Sequence, residues 1–247
     1  MRPSLAQVCY THSMTDPQRL IYQSDADRYE ALIAREDYQG NILRTLERIV
    51  PNLDQRVVLD LGAGTGRLAR LLAPRVRFVR AFDESDEMLR VCRDRLAASG
   101  LVNWQAEVAD HRHLSVDDAS ADLVVSGWSV SYLAVWGNES WRTNLSEWMG
   151  EMKRVLRRGQ PIVLFESLGT GHESPFHLPH LANFYPWLDE VGFQNTWIRT
   201  DYKFESLDEA EYLARFFFGD EMGDNVRKNG WTILPECTGV WWFEIKG

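Results

Sequence analysis

The sequence predicts an α/β fold: one three-layer α/β/α domain with an N-terminal helical cap. Three observations predict it. Short continuous apolar runs alternate with stretches of helical periodicity, which implies crossover units and a mostly parallel sheet covered on both faces. A glycine-rich turn, Gly62-Ala63-Gly64-Thr65-Gly66, joins the first apolar run to the helix after it. An acid, Asp83, ends the second run, 21 residues after Gly62.

Each element follows from local pattern. Residues 1–20 are mixed in character and are expected to be loosely ordered. From about Asp25 to Val50, Tyr29, Leu32, Ile33, Ile42, Leu46 and Ile49 recur at helical spacing, and Pro51 stops the run. Val57, Val58, Leu59 and Leu61 form the short apolar run of a strand buried on both faces. The helix Arg67–Leu72 follows the glycines and is closed by Pro74. The next unit repeats this grammar: a strand over 77–83, then a helix over 87–99 that Ser85 can cap and Gly100 ends. Strands are expected over 102–110 and 121–130, a helix over 146–157 and a strand over 161–168. A loop rich in His, Pro and Gly (169–180) leads to a helix over 181–192 and a strand over 193–204. Ser206 and Glu209 have the spacing of a capping box and open a helix over 208–219. The strand TGVWWFEIK closes the chain, and no linker divides it.

Composition narrows the function classes. The 247 residues include 27 Lys+Arg against 36 Asp+Glu, a formal net charge of -9. That balance argues against a protein that wraps a phosphate backbone, so no nucleic-acid partner is expected. No apolar run is long enough to span a bilayer and no signal-like stretch opens the chain, so no membrane partner is expected. Cys9, Cys92 and Cys237 lie far apart, which excludes a disulfide framework and a thiolate zinc site. A reduced, cytoplasmic protein is the expectation. Ten tryptophans suit both core packing and a site enclosing a flat or apolar ligand.

Glycines at the carboxyl end of a buried strand let the backbone approach a ligand, and the next helix points its N-terminus at it. A dinucleotide fingerprint would place the third glycine one residue later than Gly66. Asp60, two residues before the first glycine, would repel a pyrophosphate, and no Gly-Lys-Ser/Thr follows for a P-loop. The same carboxylate suits a ligand that is cationic near the loop and carries no phosphate. S-adenosylmethionine (SAM), with a sulfonium and an ammonium, is such a ligand.

The run from Val57 to Gly66 resembles motif I of the class I SAM-dependent methyltransferases. Phe82 to Leu89, Ala109-Asp110, Ala121 to Ser126 and Met152 to Gly159 are similar to their later motifs, in the family's order across 57–165. Tyr22 to Tyr29 resembles the lead-in of small-molecule members. The resemblance implies a Rossmann-like sandwich with a seven-stranded, mostly parallel sheet whose last strand is antiparallel. It divides the domain into a cap (1–50), a SAM-binding core (51–165) and a substrate-side segment (166–247). It implies transfer of a methyl group from SAM to an O, N or C atom of a small molecule, by in-line displacement at the sulfonium. Gly62, Ala63, Gly64 and Gly66 would shape the turn under the methionine part, with Asp60 near its ammonium. Asp83 and Glu84 would lie at the ribose, Met88 on the adenine, and Asp110 with His111 at the adenine amino group. Ser126 and Gly127 would lie near the sulfonium, and Tyr22 or Tyr29 would help close the site.

Acceptor and catalytic groups are expected at the carboxyl ends of the fourth and fifth strands. Trp128, Tyr132, Trp136, Glu166, His172 and His177 are the substrate candidates there, with Tyr132, His172 and His177 the candidates for catalysis. The aromatic residues of the last third are expected to build the acceptor pocket. His172, His177 and His180 lack the spacing of a helical zinc pair, so no metal is expected. Other readings remain open: SAM-dependent chemistry without methylation, such as cyclisation or elimination, and a non-catalytic SAM-binding module or a nucleotide-dependent oxidoreductase. Oligomeric state is not legible in the sequence.

Overall fold

The computed structural model describes residues 17–136 and 138–245. The expectations for residues 1–16, for Cys9 and for Lys246 and Gly247 lie outside that range.

Three helices precede the sheet: α1 (Pro17–Ser24), α2 (Ala26–Ile33) and α3 (Asn41–Ile49). The chain is therefore helical from Pro17, which corrects the expectation of loose order through residue 20. The single helix expected over 25–50 is two. Asp37 (φ 55°) and Gly40 (φ 71°) take left-handed conformations that no α-helix can contain. Asp37 also caps α3, its Oδ1 accepting from Asn41 N at 2.7 Å and its Oδ2 from Ile42 N at 3.0 Å.

The crossover units follow. They are β1 (Val57–Leu61), α4 (Arg67–Leu72), β2 (Phe78–Asp83), α5 (Asp86–Ala98), β3 (Trp104–Val108) and β4 (Leu123–Gly127). Then come α6 (Ser131–Val135), α7 (Trp141–Val155), β5 (Pro161–Thr170), α8 (Phe184–Val191) and β6 (Gln194–Arg199). The chain ends in β7 (Tyr202–Lys203), α9 (Leu207–Phe218), α10 (Asp220–Asn229), β8 (Ile233–Leu234) and β9 (Glu236–Glu244). Seven strands form one sheet in the order β3-β2-β1-β4-β5-β9-β6. All its pairs are parallel except those of β9, which runs antiparallel to both β5 and β6. This is the expected Rossmann-like topology, and its strand order reverses between β1 and β4.

Alternation along the strands produces the three layers. Val58, Val79, Val125 and Val163 pack under α3, α4 and α5. Leu59, Phe82, Val124 and Ile162 face α7 and α8, where Trp148 is fully enclosed. A third apolar cluster joins α2 to the C-terminal end of the chain through Leu32, Tyr202, Phe204, Leu213, Val226 and Leu234. The N-terminal cap and the last third thus share a core.

Several boundaries differ from the pattern. β4 ends at Gly127 rather than running to residue 130, because Trp128 turns to φ 52° and the chain enters α6. α7 begins five residues before the expected start. The strand expected over 193–204 splits, and β7 leaves the main sheet to pair with β8. α10 was not expected, since its face is short and polar. The capped helices meet their pattern: Ser85 Oγ accepts from Met88 N at 3.3 Å, and Ser206 Oγ from Glu209 N at 3.1 Å.

Candidate functional site

The carboxyl ends of β1, β2 and β4 open onto a cavity of about 490 Å³. A chamber of about 20 Å³ adjoins it under the glycine loop, lined by Asp60, Ala63, Thr65 and Arg67 among others. Of the residues expected to hold a ligand, Tyr22, Tyr29, Gly62, Gly64, Asp83, Glu84, Met88, His111 and Gly127 line the cavity. Trp128, Tyr132 and Trp136, expected at the acceptor, line it too.

The glycine loop is held against β2 by Ala63 N, which donates to Phe82 O at 2.9 Å. Gly62 (φ 64°) is the tightest point. A side chain there would put its Cβ 1.8 Å from Ser129 Oγ and 3.0 Å from the His111 ring. Only a glycine lets those two residues close over the loop. Behind it, Asp60 is 1 % exposed. Neither of its carboxylate oxygens has a partner of ordinary hydrogen-bond geometry among the described residues. Burial pushes its pKa up to about 7, and the nearby Ala69 amide draws it back only in part. A buried, orphaned carboxylate calls for a cationic donor.

Asp83 is differently placed. Its Oδ2 accepts from Gly64 N and its Oδ1 from Ser85 N, both at 2.8 Å. Each oxygen keeps a lone pair, so the carboxylate can take two further donors side by side. Two vicinal hydroxyls match that spacing. Burial, above all, raises its pKa. His111 is 8 % exposed, and burial lowers its pKa to about 4, so the imidazole that lines the cavity is neutral. Its Nε2 lies 3.4 Å from Ser129 Oγ, and its Nδ1 has no partner among the described residues.

Helix α1 covers the mouth. Tyr22 Oη and Tyr132 Oη are 2.8 Å apart, and Tyr132 Oη donates to Gln18 Oε1 at 3.0 Å. Ser85 Oγ donates to Tyr22 O at 2.7 Å, so the cap of α5 also anchors α1. Tyr132 stacks on Trp136 at 4.1 Å between centroids, and the Arg19 guanidinium lies 5.5 Å from the Trp136 ring centre. Trp128 is held between Phe165 at 6.2 Å and the Arg67 guanidinium at 3.7 Å. Arg67 is itself paired with the buried Glu36.

The remaining candidates are elsewhere. Gly66 forms the left-handed entry to α4, packed on Cys92, and does not line the cavity. Ser126 is buried, its Oγ donating to Leu61 O at 2.7 Å, so it ties β4 to β1 instead of facing a ligand. Asp110 accepts from the Arg112 backbone at 2.8 Å and from its guanidinium at 2.6–3.1 Å. Those bonds hold its pKa down and leave Arg112, not Asp110, on the cavity wall. Glu166 is 2 % exposed beneath α6, accepting from Ser131 N at 3.0 Å and Ser131 Oγ at 2.9 Å. It props that helix and does not reach the cavity. His172 stacks on Phe176 and His177 lies 4.7 Å from Tyr185, both outside the cavity lining. Among the described residues, none of 166–245 lines the cavity, contrary to the expectation that this segment builds the acceptor pocket. Its Phe217 reaches only the back of Tyr22 and Tyr29, at 6.3 and 5.3 Å.

Arg19, Gln23, Ser85, Arg112, Ser129, Leu133 and Asn144 line the cavity without having been singled out as ligand residues. Ser129 had a signal, since it follows β4 at the point where the sheet order reverses. Arg19 and Asn144 had none, being brought in by packing of α1 and α7. Among the described residues no cluster of His, Cys, Asp or Glu could hold a metal ion.

Residues 58–159 match the family model described as a methyltransferase domain. The sheet order, glycine loop, ribose-type acid and family match coincide on the same residues. Over these residues the chain resembles the class I SAM-dependent methyltransferases. It is 28 % identical over 177 residues to a malonyl-[acyl-carrier protein] O-methyltransferase of Marinomonas, covering 71 % of this chain and 59 % of the relative. It is 33 % identical over 135 residues to the ubiquinone/menaquinone biosynthesis C-methyltransferase UbiE of Bordetella avium, covering 53 % of this chain and 49 % of the relative. The chain thus spans only about half to three fifths of these relatives. A Haemonchus contortus phosphoethanolamine N-methyltransferase 2, solved with phosphomonomethylethanolamine and S-adenosylhomocysteine, shares the fold at a TM-score of 0.63 and 14 % identity, over 95 % of this chain and 61 % of that one.

The comparisons point to S-adenosylmethionine as the cofactor, and the residues present fit it. The orphaned Asp60 carboxylate suits the methionine ammonium, and the two open lone pairs of Asp83 suit the ribose hydroxyls. Against such a methyltransferase site, a dinucleotide pyrophosphate would meet Asp60 as a repelling charge.

Proposed function

We propose that this methyltransferase moves a methyl group from S-adenosylmethionine to an O, N or C atom of a small molecule, free or tethered to a carrier. The observation that carries the reading is the single cavity of about 490 Å³ that joins Asp83, Glu84 and Met88 at one end to Trp128, Tyr132 and Trp136 at the other. When bound, the cofactor supplies a methyl group already activated by the sulfonium. In this reading Asp83 accepts from the ribose, Met88 packs on the adenine with His111 and Arg112 nearby, and Asp60 receives the ammonium. Tyr29 and Gly127 close the middle.

The acceptor end is aromatic, which suits a small, partly apolar molecule. Burial pushes the Tyr22 hydroxyl pKa well up and holds that of His111 at about 4, so neither titrates near neutrality. Catalysis then rests on alignment of the acceptor and exclusion of water by α1, with no proton-accepting residue assigned. Asp110, Ser126, Glu166, His172 and His177 have supporting rather than contacting roles in this scheme. No described helix is long and apolar enough to cross a membrane. The buried thiols of Cys92 and Cys237 support a reduced, cytoplasmic setting.

Calorimetry with SAM, S-adenosylhomocysteine and NAD tests the cofactor. SAM and S-adenosylhomocysteine are expected to bind and NAD not to. Asp83→Asn is expected to weaken SAM binding about 10- to 100-fold, the worth of a hydrogen bond to a charged group. NAD binding without SAM binding would overturn the reading. Mass spectrometry of the protein with SAM, alone and with candidate acceptors, then separates transfer from cyclisation or elimination.

A further inference from the structure

A second cavity, of about 380 Å³, lies between α2, the turn over 34–40, α4 and α5. It shares only Ile33 and Arg67 with the chamber under the glycine loop. Its wall carries Glu30, Arg70, Arg75 and Arg95, together with Glu36, which is paired with Arg67, and Asp37, whose carboxylate accepts from the α3 backbone. Glu30 is 1 % exposed, and its Oε1 takes both Arg70 Nη1 and Arg95 Nη1 at 3.0 Å. Its Oε2 is buried with no hydrogen-bond partner among the described residues. Arg75 donates to Leu71 O at 2.9 Å, and its ion-pair partner Glu47 stands 4.0 Å away. Arg70 and Arg95 therefore share one carboxylate oxygen and Arg75 has only a distant partner, beside a second Glu30 oxygen that lacks a donor.

These two needs select one kind of ligand. A fully deprotonated anion would satisfy the arginines and be repelled by Glu30 Oε2. A neutral donor would satisfy Glu30 and leave the arginines as they are. A group with anionic oxygens and an O–H on the same centre meets both, because its proton goes to the carboxylate and its charge to the guanidinium groups. We propose that this cavity binds a protonated oxyanion, inorganic phosphate or a phosphate monoester, its P–OH donating to Glu30 Oε2 and its anionic oxygens facing Arg70, Arg75 and Arg95. The site is separate from the methyl-transfer cavity and touches it through Arg67, whose guanidinium lies on Trp128.

Titration of the full chain with inorganic phosphate and with sulfate, near neutral pH and at matched ionic strength, tests this. Sulfate carries no proton there. Phosphate is expected to bind at least about tenfold more tightly than sulfate, the difference between a charged hydrogen bond made and one replaced by repulsion. Glu30→Gln turns the acceptor into a donor and is expected to reverse the order in favour of sulfate, with SAM binding kept as the sign of a folded protein. Should that variant fail to fold, Arg75→Gln is expected to weaken phosphate several-fold without changing the order. Phosphate that does not bind, or binds no better than sulfate, or is indifferent to both substitutions, overturns the proposal. Glycerol phosphate titrated in parallel names the source, since the tighter of the two is the ligand class the cavity fits.

Discussion

At the scale of single residues, the site is built from acids that differ only in their neighbours. Asp60 is buried and Asp83 half-buried, yet Asp83 accepts from two backbone donors in good geometry while Asp60 has only the loosely placed Ala69 amide. Asp60 therefore keeps its proton to about pH 7 in the free protein. A bound ammonium favours its ionised form, so binding below that pH must first remove the proton. SAM affinity is expected to rise with pH from about 5 to about 7, by up to about tenfold per pH unit, and to level off above. Asp60→Asn is expected to flatten the rise and to weaken binding at the plateau. Calorimetry across that range checks both, and an affinity that falls with pH would contradict the assignment. The acid at position 60 was legible from its distance to the glycines. The ion pair that removes Asp110 from the ligand was not, because Arg112 takes it only through side-chain placement.

At the scale of elements, caps and left-handed turns fix where the helices start, and the site depends on those starts. Gly66 has φ 88° at the entry to α4, and a Cβ there would lie 2.7 Å from Cys92 Sγ on α5. Gly100 has φ 73° and nothing within 4 Å. Gly66→Ala is expected to cost about 2–4 kcal/mol, from strain plus overlap, and Gly100→Ala about 1 kcal/mol, from strain alone. Denaturant unfolding of the two variants separates the contributions, and equal losses would mean that the contact with α5 is soft. Trp128 belongs to the same class. A bulky residue at φ 52° is strained, and its ring is held between Phe165 and Arg67 at the aromatic end of the cavity. The strand pattern ran past this point because a buried apolar run carries no mark of a backbone reversal.

At the scale of the whole molecule, several acids are buried without full compensation. Burial raises Asp60 and Glu166 to about 7 and Glu236 to about 8. The native protein holds these protons where the unfolded chain has released them. Stability is therefore present in the ordinary carboxylate range and declines as pH rises to about 8. Asp110 and Glu151 are held low by their arginines and lose their contribution only under acid, outside that window. The thermal midpoint of the free protein is expected to be higher at about pH 5 than at about pH 8, and Glu236→Gln is expected to reduce the slope. A midpoint that rises over that interval would show these acids to be solvated.

The sequence by itself determined the alternation of strands and helices, the glycine loop, Asp60 and Asp83, because those depend on spacing along adjacent strands and turns. It also placed Trp128 and Tyr132, which follow directly from the end of β4. Only the tertiary structure decided which segments wall the cavity. Segment 166–247 spends its aromatic residues on a core shared with α2 and on the face covered by α8, while α1 folds back to supply Tyr22 and Arg19. The physical reason is that periodicity tells which face of an element is buried, but not what it is buried against.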